Sequence, residues 1–549
     1  MFKRLIRSFS VFGLFVGLLF LCASLTPSLL PRVPITQGVL SGVAFAVGYG
    51  VGKGFHIIWW WFGGPDFPPN RQLAVNWVLS LISVALVIAT FSRIATWQNS
   101  IRSLMDMPDV NTGYPWMVAG VALIVALVLV FVVRGIIWLA QKIIGWLSRV
   151  LPRNLAIGLG AVLAAFLVFS LVNNFVVQNA LRLADTIFAA TDQRTANGVT
   201  PPTHEFASGG ANSVVNWDDI GTNGKDFLVT GPSQADIAAF TGRDALEPIR
   251  VFAGFGSGGD FEARAKVALE DLINFGGFER SVLIVATPTG TGWLDPAAIE
   301  PVTYMHDGDI AIVSAQYTYV PSWLSIIVEP DRSRLAARAL FIEVYDYWTD
   351  LPPDARPELY LFGLSLGALG SEASADLVTL FPDPIDGAFW SGPPFASTVW
   401  ERATAGRNNG SPAWLPEFRD GALVRFMNQD GIAVPDGSEW GEMRLLYLQY
   451  ASDPMVFFSP RLAFRRADWL GEPRGRDVSP FFDWYPIVTF LQVGFDVPMA
   501  TSTPSGYGHT YDALDYIEGW LSVTDPPNWT ADDTQRLNTL YTGFVASPI

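Results

Sequence analysis

Leu359-Tyr360-Leu361-Phe362-Gly363-Leu364-Ser365-Leu366-Gly367 is the stretch on which the fold of this chain turns. Its first four residues form a short apolar run, rich enough in aromatics for a buried strand. The last five match G-x-S-x-G, a tight strand-to-helix turn that lifts a serine nucleophile clear of a sheet. Ala368, Leu369, Ala373, Ala375, Leu377 and Val378 then read as a helix. The turn forces the serine into a strained backbone, and glycines two residues to either side leave room where a Cβ would clash. A G-x-S-x-G string also arises by chance in a Gly-rich chain, as an ordinary turn. The strand before it and the helix after it argue for the nucleophile.

A serine hydroxyl is a weak nucleophile at neutral pH. It needs a neutral histidine as base and a carboxylate to orient the imidazole. Around a turn of this kind the acid follows the serine and the histidine follows the acid. Of four histidines, His56 falls in an apolar run, and His204 and His306 precede the serine. His509 alone follows it, in the Gly-rich loop Ser505-Gly506-Tyr507-Gly508-His509. The acid is expected just after a strand. Asp453 satisfies this in Leu446-Tyr447-Leu448-Gln449-Tyr450-Ala451-Ser452-Asp453-Pro454, against the plainer reading of an Asp-Pro turn. Asp386 is the runner-up at the start of the preceding strand; Asp512 and Asp515 belong to the helix after His509. An oxyanion needs two backbone donors. One is expected from Leu366. The other is expected from Thr289, Gly290 or Thr291, in Thr287-Pro288-Thr289-Gly290-Thr291-Gly292-Trp293. No Gly-Lys-Ser/Thr follows that loop, which excludes a P-loop. Gly254-Phe255-Gly256-Ser257-Gly258-Gly259 matches a dinucleotide fingerprint only loosely and reads as a flexible turn.

Outward from the elbow, strands and helices alternate. Strands are expected at 249–253, 282–286, 309–315, 387–390 and 443–449, and helices at 261–274 and 331–348. That order predicts an α/β domain over 246–549, with a mostly parallel sheet and helices on both faces. Residues 395–440, rich in Gly, Pro, Asn and Trp, read as a lid-like insertion over the site. Residues 181–245 read as a loose connector whose function is not legible.

The 549 residues are 50% hydrophobic and only 16% charged. Their mean hydropathy is +0.30. This predicts a membrane part. Residues 1–180 hold 12 Lys/Arg and 3 Asp/Glu, while the rest holds 23 and 48, so the net charge of −16 hides two differently charged halves. The acidic half argues against nucleic acid as a partner. Cys22 is the only cysteine, so an intrachain disulfide is impossible and no thiolate metal cluster is expected. Five spans are expected within 1–180, at about 9–25, 35–62, 73–91, 116–133 and 155–177. The second is Gly-rich and ends in Trp59-Trp60-Trp61, an interfacial aromatic belt. Residues 136–149 read as an amphipathic surface helix, and 92–105 more weakly so. With the N-terminus inside, Lys3, Arg4, Arg7, Arg71, Arg134, Lys142, Arg149 and Arg153 fall inside, and Arg32, Arg93 and Arg102 outside. Five spans then put the C-terminal domain on the extracytoplasmic side of the plasma (inner) membrane.

The chain resembles a bacterial family of integral-membrane α/β-hydrolases, with an N-terminal multi-span module and a C-terminal hydrolase domain. The likeness rests on Pro288-Thr289-Gly290-Thr291-Gly292-Trp293, Tyr304-Met305-His306-Asp307-Gly308-Asp309, Gln316-Tyr317-Thr318-Tyr319-Val320-Pro321-Ser322-Trp323, Gly363–Gly367, Gln449-Tyr450-Ala451-Ser452-Asp453-Pro454 and Gly508-His509. It covers nearly the whole chain, and implies the α/β-hydrolase fold and a Ser365–Asp453–His509 triad, with no substrate attached. The expectation is a membrane-anchored serine esterase or acyltransferase without metal or cofactor. Its expected partners are membrane lipids and an acyl ester from lipid or cell-envelope material. The rival expectations are a transporter or channel with a hydrolase-like regulatory domain, and a non-catalytic scaffold. A transporter would need ionisable residues inside its spans, and only Lys53 and His56 stand there, near a span's end.

Overall fold

Runs such as Val282–Thr287 are buried at every position, so they need cover on both faces. The computed structural model supplies that cover. It describes residues 9–65, 68–171, 199–329, 331–375 and 382–545, with 179, 188, 192 and 380 singly. The chain divides into two units. One comprises Met1–Leu183, Ser459–Leu470 and Asp477–Asp496; the other comprises Ala184–Phe458, Gly471–Arg476 and Val497–Ile549.

The second unit is built on β1 (Ile249–Ala253), β2 (Val282–Thr287), β3 (Ile310–Ala315), β4 (Glu358–Leu364), β5 (Gly387–Ser391), β6 (Val424–Asn428), β7 (Gly431–Ala433) and β8 (Arg444–Leu448). Their order across the sheet is β1-β3-β2-β4-β5-β8-β6-β7, parallel except where β7 pairs with β6. Period-2 alternation divides the core. Ile284, Ile312, Tyr360, Phe362, Phe389 and Leu446 pack in one cluster with Ala298 and Val302 of helix Pro296–Met305 and with Ile517 and Trp520 of helix Ala513–Thr524. Helices Phe261–Asn274, Asp331–Asp350 and Leu366–Ser374 pack together as a second group against the sheet. This is the α/β-hydrolase architecture, a mostly parallel sheet between helices.

Two sequence expectations need correction here. Residues 424–433, inside the expected lid-like insertion at 395–440, are not a loose segment over the site. Val424–Asn428 and Gly431–Ala433 join the sheet as β6 and β7, because β8 offers Leu445–Leu448 a parallel partner in Val424–Met427. Residues 205–245 are not loose either. They hold helices Thr222–Thr230 and Gln234–Thr241, the latter closed by a capping box of Ser233 and Asp236, and a bridge from Ala207 to Arg250 of β1.

Among the described residues, the first unit contains four helices long and apolar enough to cross a membrane: Pro34–Trp61, the run Asn70–Met105, Pro115–Leu147 and Arg153–Leu171. The expected first span appears as Val11–Ser24, 14 residues, shorter than a full crossing by length. The end of the expected fifth span, 172–177, lies outside the described residues. The expected surface helix at 136–149 is instead the continuation of one 33-residue helix, Pro115–Leu147, since nothing between Val133 and Ile136 breaks the helical pattern. Glycines of Pro34–Trp61 set its packing: Gly38 and Gly42 abut Val121, Ala122 and Val125, and Gly48 abuts Phe20 and Val16. Buried inside this unit, Arg32 pairs with Asp496 at 2.8 Å, and Ser28 donates to the same carboxylate at 2.6 Å.

Candidate active site

A parallel sheet sends its carboxyl ends to one side, where ligands of such folds bind. β4 ends at Leu364, and Ser365 follows with φ 59° and ψ −126°. A non-glycine residue in that region costs about 1–3 kcal/mol, held by its surroundings. Here Ser365 N–H donates to Ser391 O at 2.9 Å across to β5. Gly363 and Gly367 make the turn possible. A Cβ on Gly363 would run into the backbone of Gly367, and one on Gly367 into Thr287 O at the end of β2.

β8 carries Asp453 to the same side, two strands away. Its carboxylate is fully buried and satisfied: Oδ1 accepts from Met455 N–H at 2.8 Å, and Oδ2 accepts from Tyr511 Oη at 2.6 Å and lies 2.6 Å from His509 Nδ1. The histidine loop is held by two bonds. His509 N–H donates to Ala500 O at 2.8 Å, and Gly508 N–H to Ser452 Oγ at 2.9 Å. Gly508 adopts φ 59°, and a Cβ there would meet Thr503 and Ala500. With Nδ1–H given to the carboxylate, the lone pair of a neutral imidazole sits on Nε2. His509 Nε2 and Ser365 Oγ are both buried without a hydrogen-bond partner, and both residues line one cavity of about 640 Å³. No hydrogen bond joins the two atoms, as is common before substrate tightens such a site.

The four expected oxyanion donors divide. Thr289 N–H donates to Trp293 O at 2.9 Å, and Gly290 N–H to Ser322 Oγ at 3.1 Å, so these two amides serve the loop itself. Leu366 is the first residue of helix Leu366–Ser374, where an amide has no intrahelical acceptor. Thr291 lines the cavity. Leu366 and Thr291 are left as the candidate donors.

The rival acids lie elsewhere. Asp386 accepts from Leu359 N–H at 2.7 Å at the amino end of the sheet, and burial pushes it up to about 6. Asp512 caps helix Ala513–Thr524, and Asp515 takes the Tyr450 hydroxyl. His306 is buried against Thr524 Oγ1 at 3.0 Å, with burial lowering it to about 4, and His204 lies 3.8 Å from Glu247. Neither approaches the cavity wall.

Three site residues escaped the sequence. Tyr511, two residues past His509, holds the acid; its own ionisation is pushed far up by burial beside Asp453. Asp295 lines the cavity while capping helix Pro296–Met305, and burial raises it to about 7. Asp192 also lines the cavity, from the stretch read as a connector. No local signal marks any of them, except the Asp-Pro cap at Asp295. The remaining wall is largely apolar, with Phe188, Trp293, Tyr319, Trp323, Met455 and Phe544. None of residues 395–440 contributes.

A family model described as "Alpha/beta-hydrolase family" matches residues 249–537. A second, described as "Alpha/beta-hydrolase family N-terminus", matches residues 25–232. No curated protein and no solved structure matches the chain.

Proposed function

We propose that this chain, which belongs to the alpha/beta-hydrolase family, is a membrane-anchored serine esterase or acyltransferase with a Ser365–His509–Asp453 triad. The observation that carries this reading is the cavity at the carboxyl end of the sheet. A strained serine and an imidazole held 2.6 Å from a buried carboxylate both present an unpaired atom in its wall.

The chemistry follows from those atoms. Ser365 Oγ attacks the acyl carbonyl carbon as its proton passes to His509 Nε2. Asp453, already bonded to Nδ1–H, stabilises the imidazolium. The carbonyl oxygen becomes an oxyanion facing the amides of Leu366 and Thr291. Collapse breaks the bond to the alkoxide leaving group, which takes the proton from Nε2, and the acyl-enzyme remains. Water, or an acceptor hydroxyl, gives its proton to Nε2 and attacks the ester carbon; collapse breaks the bond to Ser365 Oγ, which takes the proton back from Nε2 as the acid or the new ester leaves. The apolar wall of Trp293, Trp323 and Phe544 supports an apolar acyl group, from lipid or cell-envelope material.

The test is covalent labelling of the detergent-solubilised full chain with a fluorophosphonate. Wild type is expected to label, and Ser365→Ala and His509→Ala are expected not to, with unchanged melting. An unlabelled, folded wild type overturns the enzyme reading. For topology we propose a cytoplasmic N-terminus and an extracytoplasmic hydrolase domain in the plasma (inner) membrane. The charge bias of the loops supports this. A cysteine at Asn197 in a Cys22→Ser background is expected to react with an impermeant thiol reagent in intact cells. Reaction only after permeabilisation reverses the orientation.

A further inference from the structure

One wall of the cavity beside Ser365 presents hydrogen-bond acceptors with too few donors. Asp192 sits there, its two carboxylate oxygens each 3.2 Å from the same Gln316 Nε2, a group that also serves Thr318 O. Gly221 admits that carboxylate, since a Cβ there would collide with it. Thr222 Oγ1 donates to Asp192 O at 2.8 Å and so fixes Asp192 beside Asn223. Asn223 lines the same cavity and is 5% exposed. It spends its Nδ2 on Thr291, at 3.0 Å to O and 3.1 Å to Oγ1. Its Oδ1 is left buried with no partner. A buried acceptor without a donor is unfavourable, so this wall is built for a donor that arrives with a ligand. Asp192, Asn223 and Thr291 line the same cavity as Ser365, so the donor belongs to a molecule held at the serine.

We propose that the Asp192–Asn223 wall binds hydroxyl groups on the alcohol portion of the substrate, so that the ester opened at Ser365 is that of a polyol. This rests on the serine-hydrolase reading and names its substrate class. Trp293, Trp323 and Phe544 give the cavity an apolar stretch that suits the acyl part, beside a polar stretch with Asp295, Thr501 and Thr503, and the Asp192–Asn223 wall is left to the alcohol. Ammonium is the other donor of this chemistry. The positive charge of the nearby Lys225 already acts on the Asp192 carboxylate and repels a second cation there, while burial, the largest influence, holds Asp192 up at about 6. A neutral hydroxyl meets no such repulsion.

The experiment compares three esters of one acid, dodecanoate, with the full chain in detergent: the glycerol monoester, the methyl ester and the 2-aminoethyl ester. Fluorophosphonate labelling, which involves no alcohol portion, runs beside them. Wild type is expected to favour the glycerol ester over the methyl ester in kcat/KM. Asp192→Asn is expected to lower that ratio about ten- to a hundredfold, the loss of a hydrogen bond to a charged group. Asp192→Glu is expected to restore part of it, which a purely structural role does not predict. If Asp192→Asn fails to label, Asp192→Ser replaces it. A wild-type ratio near one, or a ratio untouched by either substitution, overturns the polyol proposal. Preference for the aminoethyl ester overturns it in favour of ammonium. Labelling without turnover of the glycerol ester overturns this inference alone; absence of labelling overturns the hydrolase reading beneath it.

Discussion

At the residue scale the site is a set of buried polar atoms, each with a defined partner or a defined lack of one. Asp453 Oδ2 lies 2.6 Å from His509 Nδ1 and accepts from Tyr511 Oη, and in the proposed triad it would orient the imidazole and balance its charge. Asp453→Asn is expected to lower kcat for any ester substrate by about 10⁴-fold with the fold retained, because the amide favours the wrong imidazole tautomer. Ester kinetics beside a melting curve check this, and an effect below tenfold would remove Asp453 from the triad. His306 gives a pH prediction. Burial lowers its folded value to about 4, below the ordinary 6.5, so the folded state keeps it neutral while the unfolded chain protonates. Its contribution is complete above about pH 6.5 and is lost as pH falls toward 4, about 3 kcal/mol in all. His306→Gln is expected to flatten the fall in melting temperature over that window relative to wild type. An unchanged slope would mean that His306 titrates normally.

At the element scale the elbow is the decisive piece. Strand β4, the turn and helix Leu366–Ser374 meet where Gly363 and Gly367 touch backbone. Gly367→Val is expected to abolish labelling and to destabilise the domain by at least about 2 kcal/mol, since Thr287 O belongs to β2 and cannot withdraw. Thermal melting and labelling together test it; a stable, labelled variant refutes the packing argument. β6 and β7 were hidden from the sequence for a physical reason. Val424–Asn428 is one short run among Gly, Pro and Asn, and pairing with β8 and β7 makes it a strand. The continuous helix Pro115–Leu147 was hidden for the opposite reason. Its second half carries Lys142 on a polar face, which reads as a separate surface helix when the chain is scanned piece by piece.

At the scale of the whole molecule the chain leaves the hydrolase unit and returns to it. Ser459–Leu470 and Asp477–Asp496 fold with the N-terminal helices, between the acid and the histidine in sequence. Within that unit the Arg32–Asp496 pair is buried, bridged by Ser28 and by Arg32 Nε to Asp496 Oδ1 at 2.9 Å. Removing one partner leaves a buried charge alone. Arg32→Ala is therefore expected to destabilise the first unit by about 3–5 kcal/mol, whereas Arg32→Met with Asp496→Leu is expected to cost much less. Melting of the detergent-solubilised variants decides this, and equal losses would mean that the charges themselves are required.

The sequence by itself determined the elbow, the strand order along the chain, the apolar helices and the eligible Ser, Asp and His. These follow from local periodicity, from glycine spacing and from elimination among four histidines, all of which are properties of neighbours in the chain. Tertiary structure alone decided which atoms meet. Asp192, from a stretch that reads as a connector, enters the cavity because Gly221 leaves space for its carboxylate. Tyr511 reaches Asp453 across 58 residues, and Thr289 and Gly290 turn their amides inward to Trp293 and Ser322. Contacts of that kind depend on packing between distant segments, and no local pattern encodes them.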